Sequence, residues 1–403
     1  MSSRVPWRIR VGAGGRSGRS PRIGRQAAAA AKRTSSHRGR IAAIAPALPE
    51  PPAAYGVSSE DLEGRRVIPG LVDAHVHLGG GGGEAGPHTR VPPVMLGELT
   101  RAGVTTAVGV LGTDSTTRTV AELVARVLGL RVEGLSAYCY TGAYEVPPPT
   151  LTGSVRRDIV YVDPIIGVGE LAISDHRSSQ PTFDEFVRIA ADCHVGGLMS
   201  GKAGILHLHL GDGPRGLELV RRALEVTELP ARVFHPTHVN RQRRLYGEAC
   251  ALAREGVTID VTAFPDEDPG DGLSAVEAIA RWLADPELPD ARLTCSSDGA
   301  GCMPVFDGDG RIVAMDVGRA TTLRDTIAAL VEGEGVALER VLPVFTRNVA
   351  DLLRLPRKGR LQVGADADLL VLGDDLAIDG VMAGGRWLVK EGAQVVLGTF
   401  ERR

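Results

Sequence analysis

From Val67 onward, short β-branched apolar runs alternate with longer stretches whose apolar residues recur at helical spacing, the pattern of parallel βα units. The runs predict strands at 71–76, 104–110, 135–140, 165–169, 205–209, 232–237, 257–262 and 292–296. Between them, helices are predicted at 93–102, 117–132, 183–193, 215–226, 243–255 and 274–284. Several helices run into a glycine just before the next strand, as in Ala102-Gly103-Val104 and Glu255-Gly256-Val257, a common helix stop. Eight strands with intervening helices predict an α/β fold, a (β/α)8 TIM barrel over residues 69–356.

The flanks follow a different pattern. Gly39-Arg-Ile-Ala-Ala-Ile-Ala-Pro46 reads as a short strand, and Ala367-Asp-Leu-Leu-Val-Leu372 and Gly385-Arg-Trp-Leu-Val389 as further ones. Residues 39–68 and 357–403 are therefore expected to pair into a small β-sandwich domain made from the two chain ends. Residues 1–38 lack a sustained apolar period and are expected to be disordered or non-native sequence, although their composition would also suit an organelle transit peptide.

Charge sharpens this division. The net charge is −3, but residues 1–40 hold ten Arg and one Lys with no acid, which leaves about −14 on the remainder. An acidic body with only 4% aromatic residues excludes a nucleic-acid surface or a base-stacking platform. No apolar run reaches the roughly 18 residues of a membrane span. The five cysteines (139, 193, 250, 295 and 302) show no paired spacing, so reduced thiols and a cytoplasmic protein are expected.

Chemistry in a barrel gathers at the C-terminal strand ends. There the sequence places His75 and His77 after the first strand, Glu170 after the fourth, His209 after the fifth, His238 after the sixth and Asp298 after the eighth. Four imidazoles and two carboxylates suit paired divalent metals such as zinc. In His75-Val76-His77, strand alternation puts both rings on one face about 6–7 Å apart, so they can converge. His207 points the same way as His209 but lies deeper, and is expected to be a buried, hydrogen-bonded histidine. His235 and His238 have opposite parity, so only one is expected to face the barrel interior. His88, His176 and His194 fall in loops or helices, where surface roles are the default.

Val67-Ile-Pro-Gly-Leu-Val-Asp-Ala-His-Val-His77 resembles the first strand of the amidohydrolase superfamily. Gly79-Gly-Gly-Gly-Gly-Glu-Ala-Gly-Pro87, Thr141-Gly-Ala-Tyr-Glu145, Ala172-Ile-Ser-Asp-His-Arg177, Pro236-Thr-His-Val-Asn-Arg241 and Ser296-Ser-Asp-Gly299 resemble the isoaspartyl dipeptidases within it. The resemblance runs from about residue 39 to the C-terminus. It implies hydrolysis of β-aspartyl dipeptides by a hydroxide bridging two zinc ions. His75, His77 and Asp298 would hold one ion and His209 and His238 the other, with Glu170 between them. Asp298 would act as general base and then acid, and Tyr144 would donate to the substrate carbonyl. Glu84 would meet the substrate ammonium, Arg177 and Arg241 its carboxylates, and Thr113 the aspartyl carboxylate. Members are typically oligomeric, so a homo-oligomer acting on a small dipeptide is expected.

Two departures from the family stand out. The usual bridge is a carbamylated lysine, and the matching position here is Glu170. The chain's lysines are Lys32, Lys202, Lys358 and Lys390, none well placed to substitute, so no carbamylated lysine is expected. Glutamate offers the same charge and two oxygens on a shorter side chain. Its backbone must come closer, and the extra residue in Gly167-Val-Gly-Glu170 could supply that as a strand bulge. The second departure is Cys302, where the family tends to have a substrate-contacting serine; a thiol is a weaker donor. The competing readings are another amidohydrolase acting on an N-acyl amino acid or cyclic amide, and a catalytically silent homologue with a binding role. The trio Glu84, Arg177 and Arg241 argues against a neutral ring, and the complete ligand set against a silent protein.

Overall fold

The computed structural model describes residues 8–12, 33–37, 39–45, 48, 57–265, 270–306 and 312–402. Its centre is the expected (β/α)8 barrel, with strands β1 (Leu71–Val76), β2 (Val104–Gly109), β3 (Ser136–Thr141), β4 (Ile165–Ile173), β5 (Ile205–Leu210), β6 (Phe234–Thr237), β7 (Ile259–Thr262) and β8 (Leu293–Ser296). Strands β1 to β6 form one parallel sheet in sequential order, and β7 pairs with β8. Side chains join β6 to β7: the Asn240 amide donates to the Thr262 carbonyl at 3.0 Å and accepts from its N–H at 2.9 Å. The ring closes between β8 and β1, where the His77 N–H donates to the Gly299 carbonyl at 2.8 Å. Asp73 on β1 reinforces that seam, accepting from the Ser297 hydroxyl at 2.5 Å.

The helices cover the barrel because their apolar residues fall on one face. In Ala275–Ala284, Ala278, Ile279, Trp282 and Leu283 are all buried, and Trp282 is among the largest fully buried side chains. Ser274 starts that helix by accepting from the Glu277 N–H, a cap that contributes about 1 kcal/mol. Gly103 and Gly256 take the left-handed conformation after their helices, at φ +83° and +99°, as their sequence positions predict. Among the described residues, no helix is long and apolar enough to cross a membrane.

Beside the barrel lie two sheets from the chain ends. One is five-stranded and antiparallel, with Arg66–Pro69 at its edge followed by Leu369–Leu372, Ile378–Ala383, Arg386–Lys390 and Ala393–Gln394. The other is four-stranded, ordered Arg40–Ala45, Arg33–His37, Arg8–Gly12, Val57–Asp61. Ile41, Leu62, Val67, Leu369, Val371 and Met382 share the core of this domain.

The N-terminal expectation needs correction. Two strands fall within residues 1–38, where little structure was expected, because backbone pairing to Arg40–Ala45 and Val57–Asp61 overrides the weak apolar pattern of those segments. The rest of 1–38 lies outside the described residues.

Lys358 fastens the β-domain to the floor of the barrel. Its buried ammonium contacts Asp368 at 2.7 Å, Asp366 at 2.9 Å and the Ser136 hydroxyl at the start of β3 at 2.6 Å. Burial would lower its pKa, but Asp368 and Asp366 outweigh that and raise it. Lys358→Met is expected to strand two acids and cost about 3–5 kcal/mol, measured by urea unfolding.

Candidate metal centre and pocket

Strand β4 sets the centre. Leu206 and Leu208 of β5 pair with Val168 and Leu171 of β4, so Gly169 and Glu170 together stand opposite the single residue His207. That is the bulge the extra residue predicts, and it carries the shorter glutamate side chain into the mouth of the barrel. Gly169 is needed there, since a Cβ would lie 2.8 Å from the His207 side chain.

Glu170 is 1% exposed, and its two oxygens face different groups. Oε1 lies 3.5 Å from His75 Nε2 and 3.3 Å from His77 Nε2. Oε2 lies 3.1 Å from His209 Nδ1 and 3.5 Å from His238 Nε2. Asp298 Oδ1 completes the first side, 3.3 Å from His75 and 3.2 Å from His77. His75 Nε2 and Asp298 Oδ1 are buried without a well-directed hydrogen bond to protein. Three overlapping ligand groups result: His75, His238 and Asp298; His75, His77 and Glu170; Glu170, His209 and His238.

Charge makes the same point. Burial would raise the pKa of Glu170, but His75, His209 and His238 hold it well below the carboxylate range; Asp298 is lowered likewise by His75 and His77. Burial would lower His75 and His77, yet the two carboxylates lift His75 well above the usual imidazole value and His77 to about 9. Burial dominates at His238, which falls to about 3. Two buried carboxylates and four imidazoles in mutual contact form a donor set that suits divalent cations.

Backbone shape aims the outer ligands. His238 and Asp298 adopt φ +61° and +50°, a left-handed conformation uncommon outside glycine. At His238 the turn breaks strand parity, and this corrects the expectation that only one of His235 and His238 faces inward. His235 is also inside the barrel, with Nδ1 2.9 Å from His207 Nδ1 and Nε2 3.0 Å from the Thr294 hydroxyl. His207 lies where it is expected, buried, with Nε2 2.8 Å from His75 Nδ1. His238 Nδ1 rests on the Thr262 hydroxyl at 2.8 Å.

One pocket opens over this centre. His77, Glu170, His209, His238 and Asp298 form its base, and Glu84, Thr113, Tyr144, Arg177, Arg241 and Cys302 its walls. All the sequence-predicted site residues but His75, which is buried beneath the base, therefore line one cavity. Arg177 Nη1 is 3.7 Å from Glu84 Oε1, and its guanidinium lies over the Tyr144 ring. Tyr144 Oη is 2.7 Å from His209 Nδ1. The Thr113 hydroxyl is buried without a protein partner. Burial raises the Cys302 thiol to about 11, so it stays protonated. The glycine run is held by its neighbours: Gly82 has φ +78°, and a Cβ there would meet the Thr89 carbonyl at 2.4 Å.

Sequence reasoning assigned no role to Arg118 or Asp175. Arg118, buried, donates to the carbonyls of Gly79, Gly82 and Val91 and so braces the glycine run. Asp175 stood inside the quoted Ser174-Asp175-His176-Arg177 segment, but only the fold reveals its contacts.

A barrel with imidazoles and carboxylates converging at its C-terminal strand ends is the architecture of a metal-dependent hydrolase. The Amidohydrolase family matches residues 66–388. A beta-aspartyl dipeptidase from Fervidobacterium islandicum AW-1, solved with beta-Asp-Leu, is 44% identical with a TM-score of 0.78, over 83% of this chain and 88% of that one. A second structure of beta-aspartyl dipeptidase from that organism is 39% identical with a TM-score of 0.80, over 90% and 94%. An imidazolonepropionase from Brucella anthropi is 23% identical over 83% of this chain and 84% of its own. The chain belongs to the amidohydrolase family, and within it to the group of the beta-aspartyl dipeptidases.

Glu170→Ala is expected to lose most of the divalent metal that the wild type retains, read by elemental analysis after dialysis. Two metals retained with full activity would contradict a bridging glutamate.

Proposed function

We propose that the protein hydrolyses β-aspartyl dipeptides in a binuclear, zinc-dependent reaction. The observation that carries this reading is the pairing of Glu84 with Arg177 and Arg241 around a single polar pocket. A β-aspartyl dipeptide has one ammonium and two carboxylates, and these three side chains match them in number and sign. The 44% identical dipeptidase solved with beta-Asp-Leu supports the same substrate.

His75, His77 and Asp298 would hold one cation and His209 and His238 the other, with Glu170 shared. Bound there, the pair would acidify a water and polarise the scissile carbonyl. Asp298 accepts the proton of the attacking water and returns it to the departing amine. His75 and His77 lower its pKa and hold it as a carboxylate. Tyr144 donates to the carbonyl oxygen as negative charge develops; burial raises its pKa, so the proton stays on the hydroxyl. Arg177 and Arg241 fix the substrate carboxylates, Glu84 the ammonium, and Thr113 the aspartyl end through its unpaired hydroxyl. Cys302 borders the cavity where a stronger donor would grip the substrate more tightly.

Purified, metal-analysed protein should cleave β-Asp-Leu and leave α-Asp-Leu intact. Metal with neither cleavage would point to another amide, such as an N-acyl amino acid or a cyclic amide. Tyr144→Phe is expected to lower kcat by about 10²–10³-fold with metal content unchanged, measured by steady-state kinetics.

A further inference from the structure

Asp175 lies between the pocket wall and the metal centre. Its side chain is 2% exposed. Oδ1 accepts from the Arg177 backbone N–H at 2.7 Å and from Arg177 Nε at 3.0 Å. Oδ2 accepts from Arg177 Nη2 at 2.7 Å and lies 2.9 Å from His209 Nε2. One carboxylate thus grips the guanidinium with both oxygens and still engages the imidazole. Gly211 makes room for it: a Cβ there would stand 2.5 Å from Asp175 Oδ2.

This arrangement determines what each partner has left to offer. Arg177 keeps Nη1, which points across the pocket toward Glu84. His209 keeps Nδ1, which faces Glu170 Oε2 at 3.1 Å and lies 2.7 Å from the Tyr144 hydroxyl. His75, His77 and His238 all turn Nε2 toward the carboxylates instead. His209 is therefore the one imidazole of the four that meets the centre through Nδ1, with its Nε2 occupied by an acceptor.

We propose that Asp175 is a positioning residue that ties substrate-carboxylate recognition to the metal centre. It keeps the proton of His209 on Nε2, so that Nδ1 presents its lone pair to the Tyr144 hydroxyl here and to a divalent cation when one binds, and it orients the Arg177 fork so that Nη1 faces the substrate. The Arg177 half rests on the β-aspartyl reading of the pocket; the His209 half does not. A carboxylate behind a metal-facing imidazole fixes its tautomer and ring orientation, and its loss typically weakens metal binding about 10–100-fold.

The test uses zinc alone and β-Asp-Leu. In Asp175→Asn, zinc should be lost from one of two sites at about 10–100-fold lower chelator concentration than in the wild type, with the other site unchanged. KM for β-Asp-Leu should rise in the same variant. Arg177→Met should raise KM equally while keeping both zincs at wild-type affinity, a split that general loosening of the fold would not give. Wild-type zinc affinity at both sites of Asp175→Asn would overturn the proposal. Should that variant not fold, ¹⁵N-histidine NMR of the zinc-loaded wild type decides. One zinc-bound imidazole must ligate through Nδ1 and carry its proton on Nε2; ligation through Nε2 at every zinc-bound imidazole would overturn the proposal. The zinc and NMR readouts stand even if β-Asp-Leu proves not to be a substrate.

Discussion

The whole site depends on one buried carboxylate that must be neutralised from two sides. Glu170 is sealed from water, and an unpaired charge at that depth would cost several kcal/mol. The fold answers by bringing imidazoles from three other strand ends to its two oxygens. The β4 bulge places Glu170, the Asp73–Ser297 contact closes β8 onto β1 beside it, and the left-handed turns at His238 and Asp298 complete the ring. Each of these features is locally unfavourable or unusual; together they serve a single cluster of charge.

Behind that cluster runs a chain of hydrogen bonds. His207 backs His75, His235 backs His207, and Thr294 passes the chain to Asp260 at 2.6 Å. Burial pushes His235 down to about 4 and His207 well below its usual value, so both stay neutral and act as fixed donors and acceptors. Asp175 does the corresponding work for His209 from the pocket side. A metal centre built on strand ends and held this way is rigid, which hydrolysis at a fixed carbonyl requires.

The sequence made the barrel readable because its strands are short apolar runs broken by glycine stops, and all eight strand starts lie within two residues of where the pattern puts them. The six residues that meet in the centre, His75, His77, Glu170, His209, His238 and Asp298, were legible because chemistry in this fold sits at one kind of place. What escaped depends on contacts distant in sequence or on backbone turns. His238 joins His235 inside only because its left-handed turn breaks the strand parity, which no periodicity records. Asp175 looked like a motif residue without a task, since its partner His209 lies 34 positions away. The strands Arg8–Gly12 and Arg33–His37 were missed because backbone pairing to neighbours on both sides, rather than an apolar pattern, forms them.

In the proposed reaction Glu170 would serve two metals, a task that the resemblance to the isoaspartyl dipeptidases gives to a carbamylated lysine. Anomalous diffraction at the zinc edge from zinc-loaded crystals tests it most directly. The account predicts two peaks, one beside His75 and His77 and one beside His209 and His238, each within bonding distance of a different Glu170 oxygen. A single peak, or two peaks with Glu170 bound to only one of them, would contradict it.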